Sequence, residues 1–154
     1  MLANRSIPRC TVIPQLAYPD VAQAAEWLCA AFGFTVRVRI GDHRVQMNVG
    51  DGALVVMELG PNDATDGHGN AVPLQGASQR RPSEFGHVMI RVENVDQHCE
   101  RAKVHGANII RAPQDYPYGE RQYTVEDFAG RLWTFSQSVS DVAPESWGGT
   151  SVHL

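Results

Sequence analysis

The chain has 154 residues, a net charge of −4 with histidine neutral, and a hydrophobic fraction of 43%. This length suits one domain with a substantial core, and this composition is typical of a globular protein rather than a disordered one. The mildly acidic balance argues against a nucleic-acid partner, which needs clustered positive charge. No apolar run approaches the roughly 20 residues that span a bilayer, and residues 1–12 lack the apolar core of a secretory signal, so we expect no membrane partner and a cytoplasmic location.

The first half of the chain predicts a strand, a helix and three more strands. The first strand covers Cys10–Leu16. Asp20 is a good helix N-cap, because its carboxylate can accept the free N–H groups of the first turn. An apolar stripe at helical spacing then runs to Phe32, and Gly33 can end the helix. The remaining strands are Thr35–Ile40, Arg44–Val49 and Ala53–Leu59, the last two joined by the glycine-rich hairpin signal Gly50-Asp51-Gly52.

The second half repeats this order. A strand over Gly86–Val92 precedes a helix over Asn94–His105, which Asn94 caps and Gly106 ends. Three strands follow at Asn108–Arg111, Gln122–Glu126 and Arg131–Ser136. Val21-Ala22-Gln23 matches Val95-Asp96-Gln97 at an offset of about 74 residues. The repeated order predicts an α+β fold in which two βαβββ modules, at about 9–60 and 86–138, form a curved mixed sheet around a cleft.

Two segments lie outside this scheme. The loop at 61–85 is too long for a plain connection, so it is a linker, a lid or partly disordered. The tail at 139–154 carries Trp147, and a single tail tryptophan packs on a surface more often than it binds a ligand. The cysteines are Cys10, Cys29 and Cys99, a set without disulfide or zinc spacing. They are interpreted as small buried hydrophobes in a reducing compartment, with a reactive thiol as the alternative.

Strand alternation predicts one apolar and one mixed face for the cleft strands. The apolar faces, such as Val55 with Met57 and Trp133 with Phe135, are expected to pack on the helices. Apolar walls with a few fixed polar groups are what a ligand cleft needs, and the alternative is a half-exposed face with satisfied polar side chains. The candidate ligand-binding residues on the mixed face are Gln15, Glu58, His87, Met89, Arg91 and Thr134.

The duplicated modules resemble the vicinal-oxygen-chelate superfamily, which contains glyoxalase I, bleomycin-resistance proteins and extradiol dioxygenases. The most specific stretches are 118–123 and 125–135, which are similar to the proline-glycine-aspartate-arginine and D-P-x-G-x-L-W-x-F signatures of an uncharacterised glyoxalase-like branch. Phe128 stands where that branch usually has proline, and Val12–Leu16 resembles its first strand. The resemblance covers Thr11–Val139 and implies the fold more than a reaction. Since single-domain members commonly pair, it also implies a homodimer.

The metal site of the superfamily can be carried over strand by strand. The resemblance places its four ligands at Ile13, Glu58, His87 and Thr134. Isoleucine cannot ligate, and Thr134 stands where the metal enzymes have glutamate. The resemblance therefore implies no cofactor, or at most a weakly bound divalent metal on Glu58 and His87. Otherwise these two side chains are a hydrogen-bonded pair or a metal-free pair for ligand recognition or acid/base work, and they are expected to face one another across the cleft.

Two functions follow from the resemblance. The leading expectation is a glyoxalase/bleomycin-resistance-type protein that binds a small organic molecule in the cleft without a full metal site. The competing one is a divalent-metal-dependent lyase, isomerase or dioxygenase, in which Glu58 ligates or acts as the catalytic base and His87 ligates. The chain has no glycine-rich phosphate loop and no nucleophile elbow to support another chemistry.

Overall fold

The computed structural model describes residues 2–58 and 86–152. It divides the chain into two compact units, Met1–Gln79 and Arg80–Leu154. Among these residues, each unit contains one α-helix and a four-stranded mixed sheet. The first contains β1 (Gln15–Tyr18), α1 (Val21–Phe32), β2 (Thr35–Ile40), β3 (Arg44–Val49) and β4 (Gly52–Glu58), and the second contains β5 (Val88–Arg91), α2 (Val95–Val104), β6 (Asn108–Asp115), β7 (Glu120–Glu126) and β8 (Leu132–Ser138).

The two sheets have matching topologies. Their strand orders are β1-β4-β3-β2 and β5-β8-β7-β6. In each, the strand before the helix pairs in parallel with the last strand of the module, and the other pairs are antiparallel. The predicted α+β fold with two βαβββ modules is thus confirmed. The cleft enclosed by both sheets and the module boundaries stay predictions, and the loop at 61–85 lies outside the described residues.

The helix boundaries agree with the capping residues. Asp20 caps α1 by accepting the Gln23 N–H at 2.9 Å, and Gly33 follows the helix with a φ of 78°. Asn94 caps α2 in the same way, accepting from Gln97 N at 3.1 Å. Both predicted helices are confirmed. Among the described residues, no helix is long and apolar enough to cross a membrane.

Two strand predictions need correction. β1 begins at Gln15 rather than Cys10, since it pairs on one side only, with β4, and Pro14 before it has no N–H to donate. β6 continues to Asp115 instead of ending at Arg111. It pairs with β7, and the register between the two strands shifts twice. Pro113 has no N–H to donate, and β6 tolerates it because β6 is the edge strand of its sheet.

The faces of β4 are the reverse of the sequence-based assignment. Val56 pairs with both Leu16 and Val45, and all three are buried on the face that packs on α1. Val55, assigned to the helix side from sequence, instead shares the opposite face with Gln46. The assignment failed because residues 53–56 are apolar and buried throughout, so alternation carries no polarity signal there.

The core of the second unit lies between α2 and one face of its sheet. Trp133 and Phe135 are fully buried, and the His98 ring of α2 lies 4.0 Å from that of Phe135, centroid to centroid. The prediction that Trp133 belongs to the core is confirmed. The indole N–H of Trp133 donates to Asp127 at 3.0 Å, and Asp127 also accepts from backbone N–H groups of the β7–β8 turn.

Candidate functional site

The sheet of the second unit has an open face, defined as the face that points away from α2. Since Phe135 and Tyr123 contact His98 of that helix, the alternate residues of the strands point the other way. The register between β5 and β8 places Met89 beside Thr134 and Arg91 beside Ser136 on this open face. On the other side of β8, Thr124 and Gln122 pair with the same two residues.

One polar group on the open face centres on Thr134. The His87 Nε2 atom lies 2.7 Å from the Thr134 hydroxyl oxygen, and the Thr124 hydroxyl lies 3.1 Å from it. Thr134 is buried, so these contacts satisfy a hydroxyl that water does not reach freely. Two of the candidate ligand-binding residues, His87 and Thr134, are therefore in direct contact.

A second polar group runs across β7 and β8. The Ser136 hydroxyl donates to Glu120 Oε1 at 2.9 Å and accepts from Gln122 Nε2 at 3.0 Å. The Tyr118 hydroxyl in turn donates to Gln122 Oε1 at 3.1 Å. Because each member orients the next, this network holds its side chains in a single arrangement before any ligand arrives.

Arg91 and Glu120 form the charged pair of the open face. Their closest atoms, Arg91 Nη2 and Glu120 Oε1, are 3.6 Å apart, and the side chains are 75% and 16% exposed, respectively. Burial acts to raise the pKa of Glu120, but hydrogen bonds from Ser138 and Ser136 and the charge of Arg91 together hold it below the ordinary glutamate value. Glu120 is thus an ionised, shielded anion at neutral pH, whereas Arg91 is a cation open to solvent.

These residues line a concavity of about 400 Å³ on the open face. Its wall is completed by Trp147, which lies in the 3-10 turn Pro144–Trp147 with its ring centroid 5.4 Å from that of Tyr118. The tail reaches this position because the backbone N–H groups of Val139 and Ser140 donate to the Gly119 carbonyl at 2.8 and 3.2 Å. The concavity is lined by Met89, Arg91, Tyr118, Glu120, Gln122 and Trp147.

A larger concavity of about 650 Å³ follows the N-terminal arm of the first unit. The described residues that line it all come from 2–13, a single stretch of chain with no strand residue. Within the part of the chain that the structure describes, polar side chains from different elements do not converge on it, and such convergence is the mark of a small-molecule site. The concavity of the second unit is therefore the better candidate.

The predicted site residues divide between the two units. Met89 and Arg91 line the concavity, with His87 and Thr134 beside it on the same face. Gln15 is in the first unit, where it accepts a hydrogen bond from Arg44 Nη2 at 2.9 Å. The ligand-binding roles assigned to these residues stay predictions.

Glu58 needs a correction. It pairs with the buried Tyr18, so the register places it on the α1 side of its sheet, and its side chain is exposed at the strand end. The alternation argument that put Glu58 on the same face as Gln15 is therefore wrong, for the reason given above for β4. The predicted contact between Glu58 and His87 would join residues of different units. It stays a prediction, and the alternation argument no longer supports it.

Four lining residues were missed from the sequence: Tyr118, Glu120, Gln122 and Trp147. Two of them, Glu120 and Gln122, lie in β7 and were within reach of the alternation argument, whereas Tyr118 lies in the turn before that strand. Tyr123 is fully buried opposite Phe135, so its neighbours at even positions in β7 must lie on the open face. Arg121 lies on the other side with Tyr123, where it bridges Asp96 and Asp115 at 3.1 Å each. The position of Trp147 depends on the return of the tail and has no local signal.

The donor set does not fit the metal centre that the resemblance implies. Ile13 has no donor atom, and the Thr134 hydroxyl is already shared by His87 and Thr124. Over residues 2–58 and 86–152, no three His, Cys, Asp or Glu side chains are grouped so that they could hold a metal ion. Two nitrogen or carboxylate donors are too few for a tight divalent site of this kind.

Comparison with known proteins identifies the family. A model of the Glyoxalase/Bleomycin resistance protein/Dioxygenase superfamily matches residues 7–135. The chain belongs to this superfamily. TioX from Micromonospora sp. ML1 is similar in structure, with a TM-score of 0.63 and 30% identity, over 87% of this chain and 100% of that chain.

Two further proteins are similar to this chain, one in fold and one in sequence. A glyoxalase/bleomycin resistance protein/dioxygenase from Nocardioides has the same fold, with a TM-score of 0.59 and 22% identity over 96% of this chain and 91% of that one. An uncharacterized protein of Mycobacterium bovis is 28% identical over 134 residues, 84% of each chain. Superfamily membership establishes the fold and leaves the reaction or ligand to the site itself.

Proposed function

We propose that this superfamily member binds a small organic molecule in the concavity on the open face of the second sheet, as a bleomycin-resistance-type protein without a complete metal centre. The observation that carries the proposal is the concavity itself, about 400 Å³ with apolar, aromatic and charged side chains converging from β5, β7 and the tail. Small-molecule pockets occupy about 300–1,000 Å³ and combine apolar walls with a few fixed polar groups.

Preorganisation supports binding at this place. Gln122, Ser136 and Glu120 are held by one another at 2.9–3.0 Å, so little side-chain freedom is left to lose when a ligand arrives. The apolar part of the wall is open at the same time, since Met89 is 63% and Trp147 45% exposed. A ligand that covers these two side chains gains hydrophobic burial without disturbing the polar network.

The proposal also includes a homodimer, by analogy with the pairing of single-domain members. Sedimentation velocity at several concentrations measures this directly. A single species at the mass of one chain at all concentrations would contradict the dimer and would leave the concavity, which lies within one unit, as proposed.

A fragment screen tests the binding function. Saturation-transfer NMR with a library of anionic, cationic and neutral fragments, followed by backbone amide mapping, should produce hits that shift the amides of Met89, Glu120 and Gln122. Met89→Arg places a long charged side chain in the concavity and should abolish those hits. Val104→Arg is the matched control, because Val104 is also exposed but lies on α2, on the other side of the sheet. Hits that map elsewhere, or that survive Met89→Arg unchanged, would refute the proposal.

The competing hypothesis is a metal-dependent lyase, isomerase or dioxygenase. It requires donors at four positions, and two of these are Ile13 and Thr134. Elemental analysis of the purified protein and titrations with nickel, zinc, iron and manganese test it. Stoichiometric, tightly bound metal would put the enzyme first and displace the binding protein.

A further inference from the structure

The hydrogen bonds of the concavity decide which of its polar groups remain for a ligand. The Gln122 amide donates to Ser136 and accepts from Tyr118, so both of its ends are engaged. The Ser136 hydroxyl donates to Glu120 and accepts from Gln122. These groups have little left to offer, because a donor or acceptor that is already paired gains little from a new partner.

Arg91 is the exception. Of the described residues, Glu120 is the partner that the structure shows for its guanidinium, through Nη2 at 3.6 Å, and the side chain is 75% exposed. A guanidinium has five N–H donors in a planar fork, so most of its hydrogen-bonding capacity is unused here. That fork matches the two oxygens of a carboxylate.

The charges favour an anionic ligand over a cationic one. Glu120 is the carboxylate of the concavity, but it is only 16% exposed and already accepts hydrogen bonds from serine hydroxyls. A cationic ligand would have to compete with Arg91 and Ser136 for that shielded group. An anionic ligand meets an exposed cation, whose remaining N–H groups can bind it without breaking the contact between Arg91 and Glu120.

The apolar wall favours a planar ring. The Tyr116 and Tyr118 rings are stacked with centroids 5.2 Å apart and an interplanar angle of 16°, and Trp147 meets Tyr118 at 5.4 Å. The exposed Trp147 indole and the Met89 thioether stand on the same concavity as Arg91. Aromatic rings and thioether sulfur both contact planar aromatic ligands favourably.

We propose that the concavity binds an aromatic carboxylate, with its ring against Trp147 and Met89 and its carboxylate on the guanidinium of Arg91. This inference rests on the proposed function and names its ligand class. A volume of about 400 Å³ accommodates a ligand of one or two fused rings.

Three probes separate ring from charge. The first is 2-naphthoate, the second is 2-naphthylmethylammonium, which has the same ring with the opposite charge, and the third is cyclohexanecarboxylate, which has the same charge without the aromatic ring. Calorimetry at neutral pH and low salt should show 2-naphthoate binding at least about tenfold more tightly than either of the others, the size expected for losing one charged hydrogen-bonded contact.

Arg91→Gln tests the charge. This substitution should weaken the binding of 2-naphthoate about tenfold. The affinity for 2-naphthylmethylammonium should stay as low as before or rise somewhat. Lys103→Gln is the control, because it also removes one exposed positive charge but lies on α2, away from the open face. It should leave the affinity for every probe unchanged.

Trp147→Ala tests the ring. It should weaken 2-naphthoate about tenfold and barely affect cyclohexanecarboxylate, while Trp147→Phe restores most of the affinity for 2-naphthoate. Trp147 is 45% exposed on the tail, so neither substitution opens the core, and circular dichroism checks that both variants fold.

The outcomes distinguish this inference from the proposed function. If 2-naphthylmethylammonium binds as tightly as 2-naphthoate at the amides of Met89 and Gln122, the ligand class is wrong and the binding site stands. The ligand class is equally wrong if Arg91→Gln and Lys103→Gln weaken 2-naphthoate to the same extent. If none of the three probes shifts those amides, the ligand class is also wrong, and the fragment screen alone decides the proposed function.

Discussion

A substitution at Gly119 tests how the tail completes the concavity. Gly119 lies in the turn between β6 and β7 with a φ of 82°, a conformation that L side chains rarely adopt. A Cβ atom there would lie 2.3 Å from the Ser140 carbonyl oxygen and 3.0 Å from Cγ2 of Val142. Since the nearest atom belongs to the backbone, rotating a side chain cannot relieve the overlap. We expect Gly119→Ala to push residues 139–142 away from the turn.

The free-energy cost has two parts. The left-handed backbone costs alanine about 1–2 kcal/mol relative to glycine. Moving the tail also breaks the two hydrogen bonds to the Gly119 carbonyl, from Val139 N at 2.8 Å and Ser140 N at 3.2 Å, each of net value about 0.5–1.5 kcal/mol. The free energy of unfolding should therefore fall by about 2–5 kcal/mol in total.

Gly130→Ala isolates the first part. Gly130 has nearly the same φ, 81°, but a Cβ atom there would meet nothing within 4 Å. This control should cost only the backbone part, about 1–2 kcal/mol. Urea denaturation followed by far-UV circular dichroism measures both variants. Iodide quenching of tryptophan fluorescence, compared with and without Trp147→Phe, should show greater exposure of Trp147 in Gly119→Ala only. Equal destabilisation of the two variants with unchanged quenching would refute the view that Gly119 seats the tail.

Three further predictions follow from the packing, the charges and the donor set. Trp133→Ala should lower the free energy of unfolding by about 3–5 kcal/mol in urea titrations, since the indole is fully buried, and a loss near zero would contradict its place in the core. The pKa of Glu120 is lowered in the folded state, so its ionised form stabilises the fold above the ordinary glutamate pKa of 4.5. This stabilisation is lost as the pH falls through the folded-state pKa. Glu120→Gln should therefore be less stable than the unmodified protein at neutral pH, and its stability should depend less on pH in acid. Calorimetry should find no tight binding of nickel or zinc to the unmodified protein. The double variant Ile13→His with Thr134→Glu should bind these metals much more tightly if the cleft has the geometry of the family. A tight metal site in the unmodified protein would favour the metal-dependent enzyme over the binding protein.

The helices and the repeated order of elements could be predicted from the sequence because their signals are local. Asp20 and Asn94 accept hydrogen bonds from residues three positions ahead, so the chemistry of each cap lies within a single turn. Trp133 could also be placed, because polar Thr134 and Ser136 alternate with the aromatic residues of β8. The same alternation correctly predicted that Met89, Arg91 and Thr134 lie on one face of the sheet.

The tertiary structure decided the face of β4 and the composition of the concavity. Both faces of β4 are buried over residues 53–56, so the sequence shows no alternation of polarity there. Only the pairing of β4 with β1 shows that Glu58 belongs to the α1 side. Trp147 joins Tyr118 through hydrogen bonds from the tail to a turn about twenty residues earlier in the chain. A local pattern can specify caps, turns and strand faces of unequal polarity, whereas contacts between distant segments depend on which surfaces remain to be covered once the sheets have formed.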